Sequence, residues 1–246
     1  RLCGAKSRSS PGHWPCTGRA CGRDRGVMKS LPSGPWEVLF QRALRLVDDI
    51  QRHGGLADPF WTFGGGTVLM FRYGHRLSKD IDIFVPDPQY LGYVTPRLSD
   101  TAASLTEEYT EMPGSFVKLQ FEEGEIDFVA APNLTDSAWE WWEIQGRPVR
   151  VETAAEVIAK KMYHRGDRAT ARDLFDLAMV AEREPDALAA AAPFLMRHRD
   201  RFLEQIGRPG PGFVATFEAI AATGYRPSLE HCIAVATAYL PALGDR

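Results

Sequence analysis

Hydrophobic spacing divides the chain into helical and strand-like stretches. From Trp36 the apolar residues recur at steps of three and four (Trp36, Leu39, Ala43, Leu46 or Val47, Ile50), which is one face of a helix. The run HGG (53–55) ends it. WTF (61–63) reads as a short strand, Thr67 to about Tyr73 as a helix, GHRLSK as a polar turn and DIDIFV (80–85) as an alternating strand. PDPQYLGYVTPRLSDTAASLTEEY is a Pro-punctuated, mostly helical crossover. Alternation returns in FVKLQF (116–121) and EIDFVA (125–130), and the turn through Glu122, Glu123 and Gly124 predicts a hairpin. RPVRV is a further short strand, and TAAEVIAKKMY (153–163) is a helix. Thr170 with Asp173 three later has the form of a capping box for the next helix. DALAAAAPFLMRHRDRFLEQI reads as a helix, and RPSLEHCIAVATAYL as a last one with Ser228 as N-cap. These elements predict an α+β fold, a small mixed β-sheet flanked by helices with a C-terminal helical bundle. The expected division is an extension over 1–35, a core over 36–150 and a helical domain over 151–246.

Composition narrows the class. The 246 residues suffice for a proper core, and 44% hydrophobic with 25% charged residues is ordinary for a globular protein. A net charge of −3 gives no global attraction to nucleic acid, so any such contact must rest on a local basic patch. Arg197, His198, Arg199 and Arg201 form one, more readily explained as a solvated face than as a grip on RNA. No run reaches the roughly 18–20 apolar residues needed to cross a bilayer, and the expected location is the cytoplasm. Residues 1–35 are rich in Gly, Ser, Pro and Arg and are expected to be disordered or loosely attached. Met28 is a candidate start of translation, which a peptide from residues 1–27 in the natural protein would rule out. Cys3, Cys16 and Cys21 have no second pair or His partner and do not make a zinc site.

The candidate chemistry centres on Trp61 to Val85. Gly64, Gly65 and Gly66 stand between a strand and a helix, where bare backbone comes close to a ligand and free N–H groups aim at an anion. Asp80 and Asp82 alternate with Ile81 and Ile83, so both carboxylates project to one side of a strand, roughly 6–7 Å apart. A hard divalent cation such as Mg²⁺ relieves their repulsion. Asp127, between Ile126 and Phe128, either faces solvent or joins a charged site. On the 153–163 helix, Lys160 stands one turn after Glu156 in an exposed pairing, while Lys161 falls on the apolar face, seeking an anion or snorkelling to water. Arg172 is placed to pair with Asp176. The tryptophans of DSAWEWWEIQ read first as core packing or a lid, and only secondarily as a base-stacking platform.

The string GGGTVLMFRYGHRLSKDIDIF resembles the signature of the DNA polymerase beta-like nucleotidyltransferases, and within them the AbiEii/AbiGii-type toxins of bacterial abortive-infection and toxin–antitoxin systems. AKKMYHRGDRATARDLFDLA resembles the second block of that family, so that the similarity runs from about Trp36 to Val180. The resemblance implies a nucleotidyltransferase-type sheet and transfer of NMP from an NTP substrate. It implies Asp80, Asp82 and Asp127 as ligands of Mg²⁺ or Mn²⁺. It implies Gly65, Gly66, Thr67 and Ser78 around the β- and γ-phosphates, with Lys161, aided by Arg76 or Lys79, neutralising the leaving pyrophosphate. Asp173 takes the place of the family's downstream acid, and Lys160 remains the alternative to Lys161 in register. The implied acceptors are a tRNA 3′ end or other RNA, a protein hydroxyl or a small molecule, with a separately encoded antitoxin as partner. A small-molecule nucleotidyltransferase of the antibiotic-modifying kind, and a catalytically silent interaction protein, are the other readings.

Overall fold

The computed structural model describes residues 31–244. Cys3, Cys16, Cys21, Met28 and most of the 1–35 extension lie outside the described residues. In chain order the helices and strands are α1 (Trp36–His53), β1 (Thr62–Gly64), α2 (Gly65–Tyr73), β2 (Ile81–Val85), α3 (Asp100–Leu105), β3 (Tyr109–Met112), β4 (Phe116–Phe121), β5 (Gly124–Ala130), β6 (Trp139–Ile144) and β7 (Arg147–Glu152). Helices then take over: α4 (Ala154–Arg165), α5 (Ala171–Arg183), α6 (Pro185–Ala190), α7 (Ala192–Leu195), α8 (Arg199–Gly207), α9 (Pro211–Glu218) and α10 (Leu229–Ala242). Short 3₁₀ turns cover Pro88–Tyr93 and Gly166–Arg168. The predicted α+β class is what the structure shows.

The strands form one mixed sheet in the order β3-β4-β5-β2-β1-β7-β6. Its centre is set by alternation. Ile81, Ile83 and Val85 of β2, with Ile126 and Phe128 of β5, are buried on one face, each such side chain stabilising the fold by about 1.5–3 kcal/mol. α1 covers them, packing on both strands through its fully buried Leu39, Phe40 and Leu46. β2 runs antiparallel to β1 and parallel to β5.

Caps fix the helices that flank the site. Thr153 accepts from Glu156 N–H at the start of α4, Thr170 and Asp173 form the expected capping box of α5, and Ser228 accepts from His231 N–H at α10. α4 packs on α2 and α5, and α10 packs on α5.

Three expectations are corrected. The crossover after β2 ends in the edge strand β3, and the tryptophan run forms the other edge strand, β6, paired with β7. The turn joining β6 to β7 puts Gln145 at φ 51 and Gly146 at φ 76, the left-handed pair of a tight hairpin. The 186–206 stretch, read as one helix, is broken into parts of α6, α7 and α8.

Candidate active site

Strand register lays a row of charged positions across the sheet. Lys118 of β4 stands opposite Asp127 of β5, Asp127 beside Asp82 of β2, and Asp82 opposite Gly64 at the end of β1. Phe63 pairs with Val151, so Glu152 at the end of β7 comes next to Gly64. A cleft of about 190 Å³ opens over this row, lined by Gly65, Gly66, Asp82, Asp127, Glu152, Lys160, Lys161 and Arg165, with Phe84, Val129 and Val157.

The carboxylates in the row are under electrostatic load. Asp127 has its pKa pushed up to about 7, by burial first and then by the charge of Asp82. Its Oδ2 has the Lys118 ammonium at 3.3 Å, while its Oδ1 is buried with no hydrogen-bond partner. Asp82 is also raised: burial outweighs the nearby Lys161 and Arg165, and Asp80 adds to it. Lys118 is drawn mainly to Glu125, at 2.7 Å. Burial opposes its charge, but the two acids hold its pKa above the usual lysine range.

Asp80 lies just before β2, and its Oδ1 accepts from Glu125 N–H at 3.1 Å. Asp82 and Asp127 are thus side by side, whereas the third expected carboxylate clasps the start of β5. Among the described residues no three His, Cys, Asp or Glu side chains group as a metal cluster. The pair nevertheless has the chemistry for a hard cation: two adjacent carboxylates raised in pKa, one offering a buried oxygen with nothing to bind.

The glycines have a second role beside the one expected of them. A Cβ at Gly65 would overlap the Asp82 carboxylate, one at Gly64 would overlap Glu152 Oε2, and one at Gly66 would lie 2.6 Å from Arg76 Nη2. Gly65 also has φ +72, in the left-handed region. The turn is bare because the chain's own charged groups fill it. α2 begins there, with its first N–H groups beside Asp82 and the cleft. Thr67 is fully buried, its hydroxyl donating to Asp80 O at 2.6 Å and lying 3.2 Å from Ser78 Oγ. Neither Thr67 nor Ser78 lines the cleft, where α2 contributes Gly65 and Gly66. Lys79 is exposed and does not line the cleft.

Both lysines of α4 line the cleft, which corrects the exposed Lys160–Glu156 pairing. Lys160 is buried, its Nζ 2.5 Å from Glu152 Oε1, 3.4 Å from Glu156 Oε1 and over the Phe84 ring. Lys161 Nζ lies 2.9 Å from both Asp173 Oδ1 and Asp176 Oδ2. Asp173 also holds Arg165. Asp176 takes His75 Nε2 at 2.9 Å and two donations from Arg76 (Nε 2.7 Å, Nη2 2.8 Å). The partners of Asp176 are therefore His75, Arg76 and Lys161, not the exposed Arg172. Burial opposes ionisation of Asp173 and Asp176, but Lys161 with Arg165 or Arg76 overrides it and holds both below the carboxylate range.

Sequence reasoning missed Glu152, Lys118, Arg165 and the role of Asp176. The acid-in-an-apolar-strand signal that marked Asp127 also marks Glu152, which follows the apolar Val149 and Val151.

A family model described as "Nucleotidyl transferase AbiEii toxin, Type IV TA system" matches residues 50–238. No curated protein matches the chain. Among solved structures, a protein from H. pylori provisionally described as a nucleotidyltransferase is 17% identical with a TM-score of 0.48, over 87% of this chain and 98% of its own. MenT4, a nucleotidyltransferase toxin from Mycobacterium tuberculosis H37Rv, is 18% identical with a TM-score of 0.48, over 86% of this chain and 83% of its own.

Proposed function

Since the chain belongs to the AbiEii family of nucleotidyl transferase toxins, we propose that the cleft between β2, β5 and α4 is where an NTP surrenders its NMP to an acceptor hydroxyl. Asp82 and Asp127, joined by Asp80 on release from Glu125, would hold Mg²⁺ or Mn²⁺. Such a cation supplies charge neutralisation at the phosphoryl oxygens and a lowered pKa for the attacking hydroxyl. The Gly65 and Gly66 N–H groups at the start of α2 receive β- and γ-phosphate oxygens, while Thr67 and Ser78 brace the turn from behind. Lys161 and Arg165 reach the cleft from α4 and balance charge on the departing pyrophosphate. Arg76 is fully engaged by Asp176 and Leu77 O and acts by fixing α5. Asp173 acts by orienting Lys161 and Arg165. Lys79 is left without a part.

The observation that carries this reading is the unsatisfied Asp127 Oδ1 beside Asp82, in the same cleft as the α2 N-terminus. The acceptor is a tRNA 3′ end or a protein hydroxyl, the product is toxic to the cell, and a separately encoded antitoxin relieves it. No described helix is long and apolar enough to cross a membrane.

Incubation with each labelled NTP, Mg²⁺ and cellular RNA or protein, resolved on gels, tests the proposal. Label should move to one acceptor class in the wild type. Asp82→Asn, folded by circular dichroism, should lose on the order of 100-fold or more in rate. Undiminished transfer by that variant refutes the site.

A further inference from the structure

Three buried side-chain atoms among the described residues lack a hydrogen-bond partner: His75 Nδ1, Asp127 Oδ1 and Glu152 Oε2. A buried polar atom without a partner calls for an explanation, because leaving it unsatisfied is unfavourable. Asp127 Oδ1 is accounted for by the cation site. His75 stands behind the cleft and does not line it. Glu152 lines the cleft and has no part in the chemistry above.

Its other oxygen is fully used. Oε1 accepts from Thr62 Oγ1 at 2.7 Å and from Lys160 Nζ at 2.5 Å. Arg72 holds the Glu152 carbonyl through Nε at 3.0 Å and Nη2 at 2.6 Å. The residue is 0% exposed, and β7 fixes its backbone beside β1. Oε2 leans over Gly64, in the space a side chain there would fill. Burial holds the Glu152 pKa above the usual range, Lys160 at 2.5 Å opposes this and offsets the charge, and an anionic ligand can therefore lie nearby. An acceptor oxygen cannot bind phosphate oxygens, which carry no donor at neutral pH. The part of a nucleotide that meets it must carry an O–H or N–H.

We propose that Glu152 is a specificity-determining residue: its Oε2 accepts a hydrogen bond from the nucleoside part of the NTP, a ribose hydroxyl or a base N–H. This rests on the reading of the cleft as an NTP site. Glu152→Gln makes the sharpest variant. The amide oxygen can still meet Thr62 and Lys160, while the NH₂ stands in place of Oε2 and presents a donor to a donor.

Calorimetric titration of the full chain with Mg²⁺ and ATP, CTP, GTP, UTP and 2′-deoxy- and 3′-deoxy-ATP tests it. The wild type should bind the nucleotide lacking the matching donor roughly 10- to 100-fold more weakly than its parent. Discrimination against a deoxy analogue identifies a hydroxyl, and discrimination among bases identifies a base N–H. Glu152→Gln should abolish that discrimination and leave the analogue's own affinity within about twofold. Glu152→Gln/Lys160→Met repeats the test without a buried ammonium. Equal weakening for every nucleotide would mean a structural role and overturn the proposal. So would a wild type that binds all of them alike, with Oε2 meeting only water. A wild type that binds no NTP in Mg²⁺ sinks the reading of the cleft itself, an outcome distinct from binding without discrimination.

Discussion

The chain shelters two pairs of aspartates, and they are held in opposite ways. Asp82 and Asp127 are neighbours on parallel strands, with an ammonium 3.3 Å from Asp127 and one oxygen unsatisfied; burial drives both upward in pKa, helped by the charge of Asp82 on Asp127 and of Asp80 on Asp82. Asp173 and Asp176 share one face of α5, ringed by Lys161, Arg165, Arg76 and His75, and both are driven downward. The same side chain thus does two jobs. Where cations are already built in, the acids hold the helices together and fix Lys161 at the cleft. Where built-in cations do not outweigh burial, ionisation is unfavourable, and the cation of the proposed site would relieve it.

The contrast breaks first under mutation. Asp176→Ala leaves Arg76 and His75 buried without their carboxylate and should destabilise the fold by about 3–5 kcal/mol, read as a shift in urea midpoint. Asp127→Asn should lower the stability read the same way by no more than about 1 kcal/mol, or raise it, because a repelling charge is removed. Equal losses from the two variants would erase the distinction.

Acidity sharpens it. Asp127 keeps its proton in the native chain up to about pH 7, against an ordinary 3.8, so without divalent cations stability should fall as pH rises through that window. Asp173 and Asp176 have the opposite sign: their contribution is present above the ordinary carboxylate value and is lost as pH falls below it. Melting curves from pH 3 to 8 should show both limbs, the upper one up to about 4 kcal/mol, at about 1.4 kcal/mol per pKa unit. Asp127→Asn should shrink the upper limb, to which Asp82 and Glu152 also contribute, and leave the lower one unchanged. The smallest effect belongs to the surface: Arg201→Ala, which breaks the exposed 3.0 Å pair with Glu204, should move stability by about 0.5 kcal/mol or less.

Much of this was legible in the chain, where local spacing governs. β2, the β4–β5 hairpin and the α5 capping box follow from alternation and from a Thr–Asp step of three. The edge strand β6 was obscured because tryptophans and glutamates break clean alternation, and Gln145-Gly146 is not among the strongest hairpin dipeptides. A helical wheel sends Lys161 inward correctly but leaves Lys160 outside, since the acid that draws it in, Glu152, arrives on β7. Asp176 meets His75 and Arg76 across about a hundred positions, beyond the reach of any helix period. Asp80 was expected beside the other two acids, and its hydrogen bond to the Glu125 amide depends on how β5 docks next to β2.

The triple-glycine turn has a practical consequence for anyone disarming such a toxin. Gly64 and Gly65 are kept free of methyl groups by Glu152 and Asp82, acids of the same polypeptide. Alanine at either position would jostle those acids before any triphosphate entered, so an inert alanine mutant says nothing about who touches phosphate. Trimming the ligand, diphosphate against triphosphate, puts that question without disturbing the pocket wall.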